Sequence, residues 1–243
     1  MVDSTVLALV EQIVVRRQIG GEKMTTIAII GAGTGLGLAV ARRFGREGFT
    51  VALIARNQTR VDDLAATLAA EGIGAKGFIA NVRDADSLTG ALTQAAEQLG
   101  PIEVLQYSPL PAKEFMRPVL ETVAADLVGP VEFSIYGPVT AAHQVIPGMR
   151  SLGRGTFLFI NGASAVRPGA TVTGTSIAFA GESAYAQLLH DALAPEGIHV
   201  AQLIIPHWIG GGEPSHEPDA LAETLWKIHT DRSEFRTYAA PLA

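Results

Sequence analysis

Residues 25–47 read TTIAIIGAGTGLGLAVARRFGRE. The apolar run Thr26–Ile30 has the length and composition of a buried strand, and Leu36–Glu47 repeats its apolar residues with helical period. Between them lie Gly31, Gly33, Gly35 and Gly37. A glycine-rich turn from a strand into a helix lets backbone N–H groups approach an anion, and the helix dipole favours negative charge there. The order is Gly31-x-x-x-Gly35-x-Gly37. The more common spacing Gly-x-Gly-x-x-Gly fails because Leu36 stands in its third place.

Outward from this unit the same alternation continues. Val51–Ala55, Gly77–Ala80, Ile102–Gln106, Phe157–Ile160 and Val200–Ile205 are expected strands. Arg60–Glu71, Asp86–Leu99 and a final segment around Pro218–His229 are expected helices. Apolar strands without alternation mark a parallel sheet covered on both faces. Strand–helix alternation at this spacing implies right-handed βαβ units. The expected fold is therefore α/β: a Rossmann-like doubly wound parallel sheet of about seven strands with helices on both faces. No internal repeat or long linker divides the chain, so residues 25–243 are expected to form one domain. Gly210–Gly212 reads as a mobile loop. Residues 1–24 are an extension in which Val6, Leu7, Val10, Ile13 and Val14 share one helical face. Either it is an extra amphipathic helix, or the start is assigned too early and Met24 is the natural one.

The 243 residues carry a formal net charge of −6, 48% hydrophobic residues and no cysteine. The acidic balance argues against a nucleic-acid partner, which needs a basic surface. No apolar run suggests a membrane span. Absence of cysteine removes thiolate metal sites and fits a reducing cytoplasm. A His-Glu-x-x-His zinc motif, a Gly-x-Ser-x-Gly elbow and the Gly-Lys-Ser/Thr of a phosphate-binding loop are all missing, so no metal site or NTPase is expected.

Several stretches together resemble the short-chain dehydrogenase/reductase family, over residues 25 to about 240. They are the glycine loop, Ala80-Asn81-Val82, the run Gly153–Ser164, the run Leu193–Val200, and Pro206. The resemblance implies a nicotinamide dinucleotide held by Gly31, Gly33, Thr34, Gly35, Leu36, Gly37, Asn81, Val82, Pro206 and Ile209. Arg56 lies 19 residues past Gly37, where a ribose-recognising residue is expected. An acidic residue there would accept from a 2′-hydroxyl, whereas Arg56 offers a forked cation to a 2′-phosphate, so NADP(H) is favoured over NAD(H). The resemblance also implies a small carbonyl or hydroxyl substrate and a homodimer or homotetramer. The segments near Val131–Met149 and Ile177–Leu193 would form the interface.

The chain departs from the family where proton transfer occurs. The family uses a Tyr and, four residues later, a Lys. Counted back from Gly197, those places hold Thr175 and Phe179. The four lysines, Lys23, Lys76, Lys113 and Lys227, are preceded at that spacing by Ile19, Gly72, Pro109 and Glu223, so no Tyr-x-x-x-Lys exists in the chain. Asn81 replaces an Asp, Tyr107-Ser108-Pro109-Leu110 replaces Asn-Asn-Ala-Gly, and Ser134 stands at the place of an Asn. Ser164 matches the family's catalytic Ser. The candidate proton donors are Tyr107, which leaves the fourth strand at its C-terminal end, and His207, which follows Pro206 next to Trp208. Tyr136 and Tyr185 are weaker candidates that read better as packing residues. Two functions stay open: an NADP(H)-dependent oxidoreductase with a non-standard proton donor, or a catalytically silent NAD(P)-binding sensor or partner subunit.

Overall fold

The computed structural model describes residues 24–242, so the reading of the N-terminal extension falls almost wholly outside the described residues. Seven parallel strands form one sheet in the order β3-β2-β1-β4-β5-β6-β7. They are β1 (Thr26–Ile30), β2 (Thr50–Ala55), β3 (Ala75–Ile79), β4 (Ile102–Tyr107), β5 (Gly155–Gly162), β6 (Ile198–Ile205) and β7 (Arg236–Tyr238). The long helices are α1 (Leu36–Arg46), α2 (Gln58–Ala70), α3 (Ala85–Leu99), α4 (Gly137–Leu152), α5 (Thr173–Leu193) and α6 (Pro218–Asp231). None of the described helices is long and apolar enough to cross a membrane.

The unalternating strands are explained by two cores. Ile27 and Ile29 face Val40, Phe44, Leu64 and Leu225, from α1, α2 and α6. Ala28 and Ile30 face the other way, toward Leu88, Leu92, Val145 and Ala186, from α3, α4 and α5. With period-2 side chains and helices on both sides, every position of β1 must be apolar, and all five are buried.

Helix starts follow local capping. The Asn57 side chain accepts from Arg60 N at 2.9 Å, so α2 begins two residues earlier than the apolar period alone indicates. Asp84 accepts from Ser87 N at 3.0 Å and starts α3. The short edge strand β7 carries no apolar run; as Arg-Thr-Tyr it gave no individual signal. Residues 113–127 form three 3₁₀ turns, and Val128–Val131 leads into a π turn over Glu132–Tyr136 before α4. The helix expected from about Val131 is thus irregular through its first turn.

Candidate active site

The strand order reverses direction at β1: β2 and β3 lie on one side, β4 to β7 on the other. Ligands of such sheets bind in the crevice beyond the strand C-termini at this switch point. The glycine loop sits there. Gly31 has φ +90°, and a Cβ on it would lie 2.5 Å from Pro109 Cα and 2.7 Å from the Ser108 carbonyl oxygen. Only glycine fits both the backbone and the space. The amides of Gly31 and Ala32 both donate to the Ile54 carbonyl, at 2.9 and 3.1 Å, which fixes the loop to β2.

Beyond that anchor the loop is open. A Cβ at Gly33 or Gly35 would meet nothing within 4 Å. At Gly37 it would lie 3.1 Å from Ala32 Cα, so this glycine lets the helix pack on the loop. Helix α1 starts at Gly35 without a side-chain cap and without an acidic residue in its first turn. The amides of Leu38 and Ala39 donate to the Gly33 and Gly35 carbonyls, at 2.9 and 3.2 Å, which leaves those of Leu36 and Gly37 without an intrahelical partner next to the exposed Thr34 and Gly35. The loop and the helix start together leave open space over uncapped backbone. The Leu36 side chain is buried in the core, so only its backbone is available.

Arg56 is exposed just past β2 and makes no ion pair or side-chain hydrogen bond among the described residues. Asn81 is exposed at the exit of β3. Its Oδ1 accepts from Arg83 N at 3.2 Å, which leaves its amide group as a free donor. Val82 packs against the core.

Tyr107 does not point into the crevice, and the expectation that it serves as a proton donor is corrected. Its side chain is 1% exposed, and its hydroxyl donates to the Phe133 carbonyl inside the π turn. A π turn interrupts the regular helical ladder, and Tyr107 supplies a partner for a carbonyl there. Burial, and then the nearby Glu182 charge, hold the phenol well above its ordinary range. Tyr136 is 61% exposed rather than packed. Tyr185 is half-buried against the core with its hydroxyl unpartnered, and burial pushes its pKa to about 12.

Ser164 is half-buried in the 3₁₀ turn that follows β5, without a side-chain hydrogen bond among the described residues. Pro206 is half-buried after β6, and His207 and Ile209 are exposed beyond it with Trp208. The His207 ring lies 5.3 Å from the ring of His216, which is fully buried with Nε2 unpartnered. The Gly210–Gly212 loop is held at two points: Gly210 N donates to the His216 carbonyl, and Gly212 N to Glu217 Oε1, each at 3.0 Å.

The places of the missing dyad are filled. Thr175 and Phe179 are both 7% exposed, and the start of α5 is covered: a Cβ on Gly174 would lie 2.8 Å from the Phe115 carbonyl and from Pro130. One turn further along the same face stands Glu182, which the sequence reading missed. It is 1% exposed and accepts from Asn161 Nδ2 at 3.1 Å, with Ser134 near enough to oppose the rise of its pKa. Burial raises its pKa to about 8, against the opposing pull of those two donors. A signal existed: Glu182 is the only charged side chain of α5 before Asp191, in a segment of small and apolar residues.

Among the described residues no group of three or more His, Asp or Glu is placed to hold a metal. Residues 25–209 match the short chain dehydrogenase family. Over 78 residues, 32% of this chain, the sequence is 45% identical to 2-(S)-hydroxypropyl-CoM dehydrogenase 3 of Xanthobacter autotrophicus; the match spans only 31% of that relative. A short-chain dehydrogenase structure from Rhodopseudomonas palustris is 27% identical and superposes with a TM-score of 0.79, covering 89% of this chain and 98% of the other. A metagenomic short-chain oxidoreductase solved in complex with NADP shares the fold at 19% identity, with a TM-score of 0.77 over 90% and 96% of the two chains. With a match over residues 25–209 and a shared fold, the chain belongs to the short-chain dehydrogenase family of oxidoreductases.

Proposed function

We propose that this protein binds a nicotinamide dinucleotide across the crevice and reduces or oxidises a small carbonyl or hydroxyl compound with a proton donor other than a Tyr/Lys dyad. The observation that carries the reading is the open, uncapped start of α1 beneath Gly33 and Gly35. These amides would hold the diphosphate, Asn81 the adenine, and Pro206 and Ile209 the nicotinamide end. When bound, the nicotinamide would supply or accept the hydride. NADP(H) is preferred, because the unpaired Arg56 stands where a 2′-phosphate would be and no carboxylate competes for it. The NADP held by the structural relative supports the same choice. Ser164 polarises the substrate oxygen, and His207 is the exposed imidazole on the substrate side.

A second reading has its own support. Thr175, Phe179 and Tyr107 are all buried, so the family's proton-transfer corner is closed by protein. On that reading the chain is a silent NAD(P)-binding sensor or a partner subunit. A thermal-shift titration with NADPH and NADH, followed by NADPH consumption against a carbonyl panel, separates the two. Stabilisation by about 2.7 kcal/mol is expected at 100 times the dissociation constant. Binding with complete inertness favours the sensor, and no shift with either dinucleotide defeats both readings. The exposed Tyr136, Ile177 and Leu188 on the π turn, α5 and its far end support a homodimer or homotetramer, which light scattering tests.

A further inference from the structure

Helices α3 and α4 leave an apolar groove of about 330 Å³ between them. Leu92, Ile102 and Val145 line it as buried residues, and Ala96, Pro101 and Gly148 as half-buried ones. The volume is roughly twice the ~150 Å³ that takes up a benzene ring. Gln144, on the groove, ties the two helices together by donating from Nε2 to Thr93 Oγ1 at 2.9 Å. Gly148 stands inside α4, where a glycine costs stability relative to alanine. A Cβ on it would meet nothing within 4 Å, so no described neighbour calls for its small size. Glu97 borders the groove, is exposed, and makes no ion pair among the described residues. The chain enters the fold at this same place. Thr26 N donates to the Pro101 carbonyl at 2.9 Å, and Thr26 Oγ1 to the Leu99 and Gly100 carbonyls at 3.0 and 3.1 Å. A Cβ on Gly100 would lie 3.1 Å from the Met24 carbonyl oxygen. Residues 1–23 are thus delivered to the end of the groove that Pro101 and Ile102 form.

We propose that the groove between α3 and α4 is the docking site of this chain's own N-terminal segment, which lies in it as an amphipathic helix ending near Arg17. Val6, Leu7, Val10, Ile13 and Val14 share one helical face, and Arg17 follows Ile13 and Val14 on that face by one turn. Gln18–Lys23 contains Gly20 and Gly21, which suit a helix C-terminus, and its length is that of an ordinary helix-to-strand connection. A helix before β1 therefore descends beside α3, which ends at Leu99 where the chain enters β1. Its last turn arrives at the level of Glu97, so the cation of Arg17 meets the unpaired carboxylate on the rim. Ile13 and Val14 then fill the groove over Ala96 and Gly148, and the glycine gives the segment room to approach α4 closely. The groove between α1 and α6 is a poor alternative for this face, because Arg42, Arg43 and Arg46 line it and oppose Arg17. The docking is independent of the chemistry proposed above, and dinucleotide binding stands or falls separately.

The chain has no cysteine, so an engineered pair in the full-length protein reports on this contact alone. Ile13→Cys and Val14→Cys are each combined with Ala96→Cys or Gly148→Cys, and Gln12→Cys, on the opposite face of the segment, serves as the control. Under mild oxidation at least one pair from the apolar face is expected to close a disulfide within one chain, at least about tenfold faster than the Gln12→Cys pairs, since the bond needs neighbouring Cα atoms. Equal rates from both faces, or no disulfide from any position, overturn the proposal. Disulfides that form only between two chains also overturn it and assign the groove to a second copy. In a thermal melt, Ile13→Asp is expected to lower the melting temperature by at least about 5 °C, with Gln12→Asp unchanged. An Ile13→Asp protein that melts like wild type overturns the proposal. Should Ile13→Asp fail to fold, the disulfide pairs decide.

Discussion

Gly137 leaves the space that the Tyr107 hydroxyl fills: a Cβ on residue 137 would overlap that oxygen and lie 2.8 Å from the Val82 carbonyl. Strand β4, the exit of β3 and the π turn therefore meet at one point, and the turn's Phe133 carbonyl is satisfied there by Tyr107. Arg83 reinforces the junction by donating to Glu132 in the same turn at 2.8 Å.

Tyr107→Phe is expected to cost about 1–3 kcal/mol, the penalty for leaving a buried carbonyl unpaired. That corresponds to a drop of roughly 2–12 °C in melting temperature for a chain of this size. NADPH affinity should hold, and any loss of turnover should track the loss of folded protein. A fully folded Tyr107→Phe protein with no turnover would show that the phenol reaches substrate after all. Gly137→Ala should be the more damaging change, since it drives a methyl into both neighbours.

Gly33→Asp separates stability from binding. The new Cβ meets nothing, and a carboxylate at the uncapped start of α1 should leave the free protein unchanged or stabilise it by up to about 1 kcal/mol. The same charge opposes a diphosphate, so dinucleotide affinity should fall at least roughly tenfold, equal to about 1.4 kcal/mol. Calorimetric titration together with thermal melts reads both signs, and unchanged affinity would place the dinucleotide elsewhere.

Arg56→Ala should leave the melting temperature within about 0.5 kcal/mol of wild type, because an exposed, unpaired side chain is lost. NADPH affinity should fall by roughly 1.5–3 kcal/mol, the range of a charge-assisted hydrogen bond, with NADH affinity unchanged. Equal effects on both dinucleotides would remove Arg56 from 2′-phosphate recognition.

Stability should decline on both sides of neutrality, for different reasons. Burial above all holds His199 and His229 neutral, with pKa values of about 4 against an ordinary 6.5. Between those values the unfolded chain binds more protons, so their contribution is full above about pH 6.5 and lost as pH falls toward 4. Roughly 1–2 kcal/mol each is expected after allowance for solvent screening. Glu182 has the opposite sign: its folded pKa of about 8 lies above the unfolded 4.5, so stability is greatest below 4.5 and falls as pH rises to 8. Urea midpoints from pH 4 to 9 should show both limbs. Glu182→Gln should flatten the alkaline limb, and His229→Gln the acid one.

Part of the site was legible from local pattern. The glycine loop announced itself because Gly31 answers to a positive φ and a close backbone, constraints written in residue type. Tyr107 ends a strand, a place that in sequence alone looks like the edge of a cleft. Strand alternation puts it on the side of Leu105, facing the helices of one core. Glu182 was passed over because its partners Ser134 and Asn161 are 48 and 21 residues away in sequence.

The amino-acid sequence alone determined the doubly wound sheet, the glycine cradle at its switch point and the absence of a Tyr/Lys dyad, since apolar period, glycine spacing and residue counts are local properties. Only the tertiary structure decided that Phe115 and Pro130 cover Gly174 at the start of α5, that Thr175 and Phe179 are buried, that Tyr107 serves the π turn, and that the Glu182 carboxyl is buried against Asn161. Burial and hydrogen-bond partnership arise from segments far apart in the chain, and no local pattern records which of them will meet.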